Sequence, residues 1–224
     1  MDYLEIVAFK NLFIGLSTFW FTYFIASFLF PTDKSITRPK LEITKRKVVI
    51  QLIWNCLVSI ISTFFLCHIP QIFVFENVIY KYITALIIIE IWFYYSHRLM
   101  HHRWFYKWHS EHHAFIEPYG LAGLYCSCFE MIFVNQLTAV IPLQLLGFSL
   151  TETIIGAMLI ALNILKGHAV LHKRDDIPWY LPNFIIQSWD HDTHHRLMTY
   201  NYGILYILDR VHGTYNNAEK IFAS

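Results

Sequence analysis

Five apolar runs, each closed by a polar or helix-breaking residue, set the rhythm of the chain. Residues 11–30 form the first and 48–67 the second, which stops at His68-Ile69-Pro70; a third runs from about 79 to 95 and leads directly onto His97. Two more follow: 129–148, interrupted by Pro142, and 151 to about 165, just short of His168. A helix needs about 20 mostly apolar residues to cross a bilayer. The pattern predicts an all-α integral membrane helix bundle of about four or five spans, the last two able to form a hairpin that dips in and returns. No internal repeat, low-complexity segment or Pro/Gly/Ser-rich linker divides it.

Charge gives the bundle a direction. The segment 31–47 carries Lys34, Arg38, Lys40, Lys45, Arg46 and Lys47, and basic loops stay in the cytosol. From there the second span leaves the cytosol, the third returns at His97, and the fourth and fifth go out and come back at His168. The N-terminal Met1-Asp2-Tyr3-Leu4-Glu5 has acids where a secretory signal carries basic residues, so the first run is expected to remain as an anchor.

Composition fits a membrane protein. Of 224 residues, 56% are hydrophobic and 15% charged, against roughly 45–50% and 25% in a soluble domain. The length suits one domain. A net charge of +1, with no basic tract interleaved with aromatics, excludes nucleic acid as a partner. Cys56, Cys67, Cys126 and Cys128 show neither CxxC spacing nor a disulfide pattern and read as structural.

The chemistry lies in the histidines. Eleven of thirteen fall into four groups: His97, His101 and His102; His109, His112 and His113; His168 and His172; His191, His194 and His195. Within each group, spacings of three and four put imidazoles on one helix face, and neutral imidazole is the commonest metal ligand. Spacing favours His101 over His102, although a helix ending there would turn His102 inward. Two groups share the pattern HxxHH, in Trp108-His109-Ser110-Glu111-His112-His113 and Trp189-Asp190-His191-Asp192-Thr193-His194-His195. Neither is HExxH, so the general base of a zinc protease is missing. About ten imidazoles exceed one ion's needs, and two metals are expected at the cytosolic mouth of the bundle, in a histidine-rich helical cap.

Nearby polar residues have several readings. Glu90, seven residues before His97, would accept a ligand's free ring N–H or pair with Arg98 or a tyrosine hydroxyl. Glu111, Asp190 and Asp192 would be solvated, cap helices or support ligands. His68 and His212 stand apart and read as structural.

The run from Glu90 onward resembles the fatty acid hydroxylase/sterol desaturase superfamily of membrane di-iron oxygenases. The resemblance rests on His97-Arg98-Leu99-Met100-His101-His102, Tyr106 through His113, Gly167-His168, Trp189 through His195, Asn201-Tyr202-Gly203 and Asp209-Arg210-Val211-His212-Gly213-Thr214. It implies two non-haem iron ions, with His97, His101 or His102, His109, His112, His113, His168, His172, His191, His194 and His195 as ligands. It also implies O2-dependent hydroxylation of a sterol or fatty-acyl lipid, or desaturation. Electrons would come from NAD(P)H through cytochrome b5 or a reductase, in the endoplasmic reticulum of a eukaryotic cell. Residues 1–78 are then anchor helices with the basic cytosolic loop, and 79–224 the catalytic domain. The block from His109 to Glu130 looks most like sterol C-4 methyl oxidases and cholesterol 25-hydroxylases, and the ending like sterol C-5 desaturases. Ala169-Val170 departs from the Ser-Gly usual in the methyl oxidases, and His172 is closer to fatty-acid 2-hydroxylases. A membrane metal carrier or a non-catalytic relative is the reading from another class.

Overall fold

A computed structural model of the chain describes residues 3–28, 43–115, 119–168 and 188–216, and every regular element in them is helical. In chain order the helices are α1 (Tyr3–Ser27), α2 (Lys45–Leu66), α3 (Val78–Met100), α4 (Tyr106–His109), α5 (Cys128–Leu145), α6 (Leu150–Gly167), α7 (Ser188–Leu197) and α8 (Ile207–His212). Five of these, α1, α2, α3, α5 and α6, are long and apolar enough to cross a membrane. The chain is a multi-pass, all-α bundle.

The helices outrun the apolar stretches. α1 begins well before residue 11, and α3 continues past residue 95 to Met100, carrying His97 on its last turn. Once a helix is nucleated, each added residue gains a backbone hydrogen bond whatever its side chain, so hydropathy alone places the ends short.

α2 is packed inside out relative to a helix of a soluble protein. Its buried stripe includes Asn55, Ser59, Ser62 and Thr63, whereas Ile53, Trp54, Ile61 and Phe65 are exposed. In hydrocarbon the apolar face needs no cover, and helices associate through packing and interhelical hydrogen bonds. Ser62 Oγ donates to Gln136 Oε1 of α5 at 2.6 Å, and Gln136 Nε2 donates to Ser59 O at 3.0 Å. α5 widens into a π-helical turn at Met131–Gln136. There the Trp92 indole donates to Phe133 O at 3.0 Å, one of the ways a distorted span keeps its backbone satisfied.

α1 packs along α6, and α3 against α5. The C-terminal ends of α1, α3 and α6 therefore meet the N-terminal ends of α2 and α5. Tyr23 Oη donates to Gly120 O at 2.8 Å and accepts from Leu124 N–H at 3.1 Å. Asn55 Nδ2 donates to Leu124 O and Cys126 O, each at 3.0 Å. Through these bonds α1 and α2 fix the segment that follows the first HxxHH motif. Lys45, Arg46 and Lys47 open α2 at this same end, the end that carries the histidines. At the opposite end Lys81 Nζ lies 2.8 Å from Glu152 Oε2 and donates to Gly147 O, tying α3 to the α5–α6 turn.

Candidate metal centre

Among the described residues, nine histidines converge in two groups. His97, His101, His109, His113 and His194 each offer a nitrogen, all within 4.8 Å of one another; His112, His168, His191 and His195 form the second such group. All are buried except His101, which is half-buried. Each HxxHH motif is divided between them. His109 and His113, four apart, join the first group and send His112 to the second; His191 and His195 join the second and send His194 to the first. Adjacent helical residues point about 100° apart, so a His-His dipeptide cannot aim both rings at one point, and here it feeds two.

Four of the outer ring nitrogens are held in place. Nδ1–H of His97 donates to Tyr202 O at 2.8 Å, that of His168 to Ile164 O at 2.8 Å, that of His194 to Tyr200 O at 2.7 Å and that of His195 to Phe115 O at 3.1 Å. A carbonyl only accepts, so in these four rings the proton sits on Nδ1 and Nε2 keeps a free lone pair. Glu130 Oε1 lies behind the His109 ring, 2.9 Å from its Nδ1. Such backing is how proteins orient histidine ligands.

The inner nitrogens lie at the separations a shared ion requires. His101 Nε2 is 2.9 Å from His109 Nε2, 3.1 Å from His194 Nε2 and 3.2 Å from His113 Nε2. In the second group His191 Nε2 is 2.9 Å from His168 Nε2 and 3.1 Å from His195 Nε2. Nitrogens bound about 2.1 Å from one metal stand about 3.0–3.4 Å apart, depending on coordination geometry. Converging lone pairs without an ion would repel. An all-nitrogen donor set for two first-row transition ions fits these residues.

Electrostatics point the same way. Burial, followed by repulsion from neighbouring imidazoles, holds His101, His109, His113, His191 and His195 well below the ordinary histidine range. His168 is pushed down to about 4, again chiefly by burial, and its bond to Ile164 O opposes the shift. The rings are neutral at pH 7, as ligands must be.

One of the expected ligands stands outside this arrangement. His102 is exposed, and its ring rests against Trp104. α3 ends at Met100 and the chain turns away, so the helix directs His101 inward and not its neighbour. His172, with Ala169 and Val170, lies outside the described residues.

Glu90 also does something other than expected. It touches neither a ligand's ring N–H nor Arg98, whose guanidinium donates to Tyr94 Oη at 2.8 Å. Its carboxylate instead accepts the backbone N–H of Ile204, Leu205 and Leu208 at 3.0, 2.8 and 3.2 Å. Asp209 accepts N–H of Tyr202 and Gly203 at 2.9 and 2.7 Å. Together they fix the turn whose Tyr202 carbonyl holds His97. A side chain at Gly203 would meet Glu90 Oε1 at 2.8 Å and Asp209 Oδ2 at 2.9 Å, so only glycine fits. Asp190 and Asp192 are buried beside α7's histidines, not solvated. His68 pairs with Glu5 at 3.0 Å, and His212 stacks on Tyr94 and meets Tyr95 Oη at 2.9 Å. The carbonyls of Phe115, Ile164, Tyr200 and Tyr202 leave no mark in a sequence, because every residue has one.

This architecture has known counterparts. The family model for fatty acid hydroxylase matches residues 82–214. The chain belongs to the fatty acid hydroxylase family. A fatty acid hydroxylase domain-containing protein 2 of Macaca fascicularis is 35% identical over 56% of this chain and 35% of its own length. A methylsterol monooxygenase 2-2 of Arabidopsis thaliana is 34% identical over 57% of this chain and 49% of its own. A very-long-chain aldehyde decarbonylase of Oryza sativa subsp. indica is 34% identical over 58% and 51%. The chain thus spans between about a third and a half of these relatives' lengths. No solved structure matches it.

Proposed function

We propose that the chain is a membrane-bound non-haem di-iron oxygenase that hydroxylates a C–H bond of a sterol or fatty-acyl lipid. The observation that carries this reading is the position of both histidine groups at one end of an apolar cavity of about 180 Å³. His97 of the first group and His112, His168 and His191 of the second reach its wall, which continues as Phe93, Ile89 and Leu86 of α3. Family membership and the names of the methylsterol monooxygenase relatives support an oxygenase acting on lipid.

His97, His101, His109, His113 and His194 would hold one iron, and His112, His168, His191 and His195 the other. The division of the motifs assigns a further role to His172. His97 and His101, four apart at the end of α3, both join the first group, and in the sequence His172 follows His168 at the same spacing. His172 is the proposed fifth ligand of the second iron. When bound, ferrous iron supplies the O2 chemistry that imidazole and carboxylate side chains lack. The protein's own part is to fix the ring nitrogens through the carbonyls and Glu130, to exclude water with the apolar wall and to align a C–H bond with the histidine end. Overall, one atom of O2 enters the lipid and the other leaves as water, with two electrons and two protons supplied.

We assign the electrons to NAD(P)H, delivered by cytochrome b5 or a reductase, and the histidine end to the cytosolic face, which in a eukaryotic cell places the enzyme in the endoplasmic reticulum. Lipid profiling of cells with and without the protein, followed by turnover under ¹⁸O2, tests the whole reading. A product heavier by one ¹⁸O atom is expected. A product lacking two hydrogens and carrying no label would make the chain a desaturase, and an unchanged lipid profile would overturn the oxygenase reading.

A further inference from the structure

The cavity below the histidines is apolar almost throughout, which isolates its few polar side chains. It lies between α3, α5 and α6, and its far end is lined by Leu86 and Leu159, which are 43% and 56% exposed on the outer surface of their spans. Leu86 is eleven residues before His97 and Leu159 nine before His168. At a rise of 1.5 Å per residue both lie about 13–17 Å from the histidine end, near the middle of a hydrocarbon layer about 30 Å thick. An opening at that depth would admit a molecule dissolved in the bilayer without passage through water.

Most polar groups on the wall already have partners. Thr138 Oγ1 donates to Val134 O at 2.5 Å, Asn135 Nδ2 to Cys126 Sγ at 3.8 Å, and Glu130 Oε1 lies against His109 Nδ1. Asn163 differs. Its Oδ1 is buried and meets no donor among the described residues. A polar atom held in an apolar chamber without a hydrogen bond is costly, and folded proteins pair such atoms almost always. Glu130 Oε2, on the same wall, is likewise buried with no donor. An amide oxygen only accepts, so the unpartnered Asn163 Oδ1 on this apolar chamber complements an O–H. Esters, ethers and aldehydes offer only acceptors and leave the Asn163 oxygen unsatisfied.

We propose that Asn163 is the specificity-determining residue of this cavity, its Oδ1 accepting a hydrogen bond from a hydroxyl group on the lipid. The proposal rests on the oxygenase reading in taking the cavity as the lipid site. Asn163 is five residues before His168, about 7.5 Å along α6. The hydroxyl-bearing end of the lipid therefore lies toward the histidines, and its tail points to Leu86 and Leu159.

The test is equilibrium binding to the metal-loaded protein in phospholipid nanodiscs, with protein-free nanodiscs as the blank. The probes are two matched tritiated pairs, hexadecan-1-ol with hexadecane and cholestanol with cholestane. The wild type should favour the alcohol by about 10-fold in at least one pair, the equivalent of about 1.4 kcal/mol. Asn163→Leu should reduce that preference to about 2-fold or less, with metal content unchanged, while Asn163→Gln should keep part of it; Asn163→Ala serves if the leucine variant does not accumulate. A wild type without preference in either pair, or a preference that survives Asn163→Leu or Asn163→Ala, overturns the proposal. Labelled product without alcohol preference would sink this inference and leave the oxygenase standing; alcohol preference without any labelled product would do the reverse.

Discussion

Glu90 Oε2 accepts the backbone N–H of Leu205 at 2.8 Å, joining the middle of the third span to the turn that follows the last histidine motif. With the bonds from Ile204 and Leu208, this one carboxylate serves three donors. A charged group buried in a span usually has such a partner. Here the partner is backbone, and the consequence is a fixed Tyr202 carbonyl behind His97.

Replacing Glu90 with alanine leaves those three N–H groups unpaired. Hydrogen bonds to a charged group contribute about 1.5–3 kcal/mol each, so Glu90→Ala should destabilise the protein by about 3 kcal/mol or more and lower its metal content; Glu90→Gln should do less of both. Thermal unfolding in detergent with metal analysis measures this. Wild-type unfolding and metal content in the alanine variant would show that the turn is held some other way.

The division of the HxxHH motifs predicts separable metal losses. His194→Ala should empty the first group and His195→Ala the second, each lowering bound metal from about two equivalents toward one. His172→Ala should act like His195→Ala, and His102→Ala should retain both ions. Metal analysis by mass spectrometry checks the set, and loss of both ions from every single variant would mean that the groups are one site.

Gly123 is pressed against His168, a proposed ligand, without being one. A β-carbon there would stand 2.8 Å from His168 Nδ1 and 2.9 Å from its Cγ. Gly123→Ala should push the ring off its bond to Ile164 O and weaken metal binding to the second group by about 10–100-fold, as loss of an orienting partner does. Metal titration of the apo protein reads the change, and unchanged affinity would mean the ring moves freely.

Acid should release the metals. The histidines of the two groups are held below their ordinary value near 6.5, His168 to about 4. In that window the unfolded chain binds more protons than the folded one, so stability rises with pH and is lost on acidification from about 6.5 toward 4. The stabilisation is fully present above pH 6.5. Metal retention and melting temperature recorded from pH 7.5 to 4 should fall together, and a flat profile would show that these rings take up no more protons unfolded than folded.

Much of this was legible along the chain, though unevenly. The five spans followed from hydropathy, but α1 and α3 extended beyond their apolar runs because a helix, once started, carries polar residues with it. Spacing pointed to His101 rather than His102, and the turn after Met100 leaves His102 exposed. Glu90 was visible as a carboxylate that needs a partner, but the sequence named side chains for it and the fold supplied backbone. Gly123 and Asn163 carried no signal at all. The tight approach of His168 to one, and the missing donor beside the other, arise only between helices.

The sequence by itself determined the all-α membrane architecture and the stock of paired imidazoles, because hydropathy and the three- and four-residue repeat act locally, within a single helix. Only the tertiary structure decided how those imidazoles are shared between two groups, which carbonyls hold them and what lines the cavity beneath them. Those relationships join residues more than a hundred positions apart, such as His97 with Tyr202 and Glu90 with Leu205, and no local pattern in the chain records which distant backbone will meet which ring.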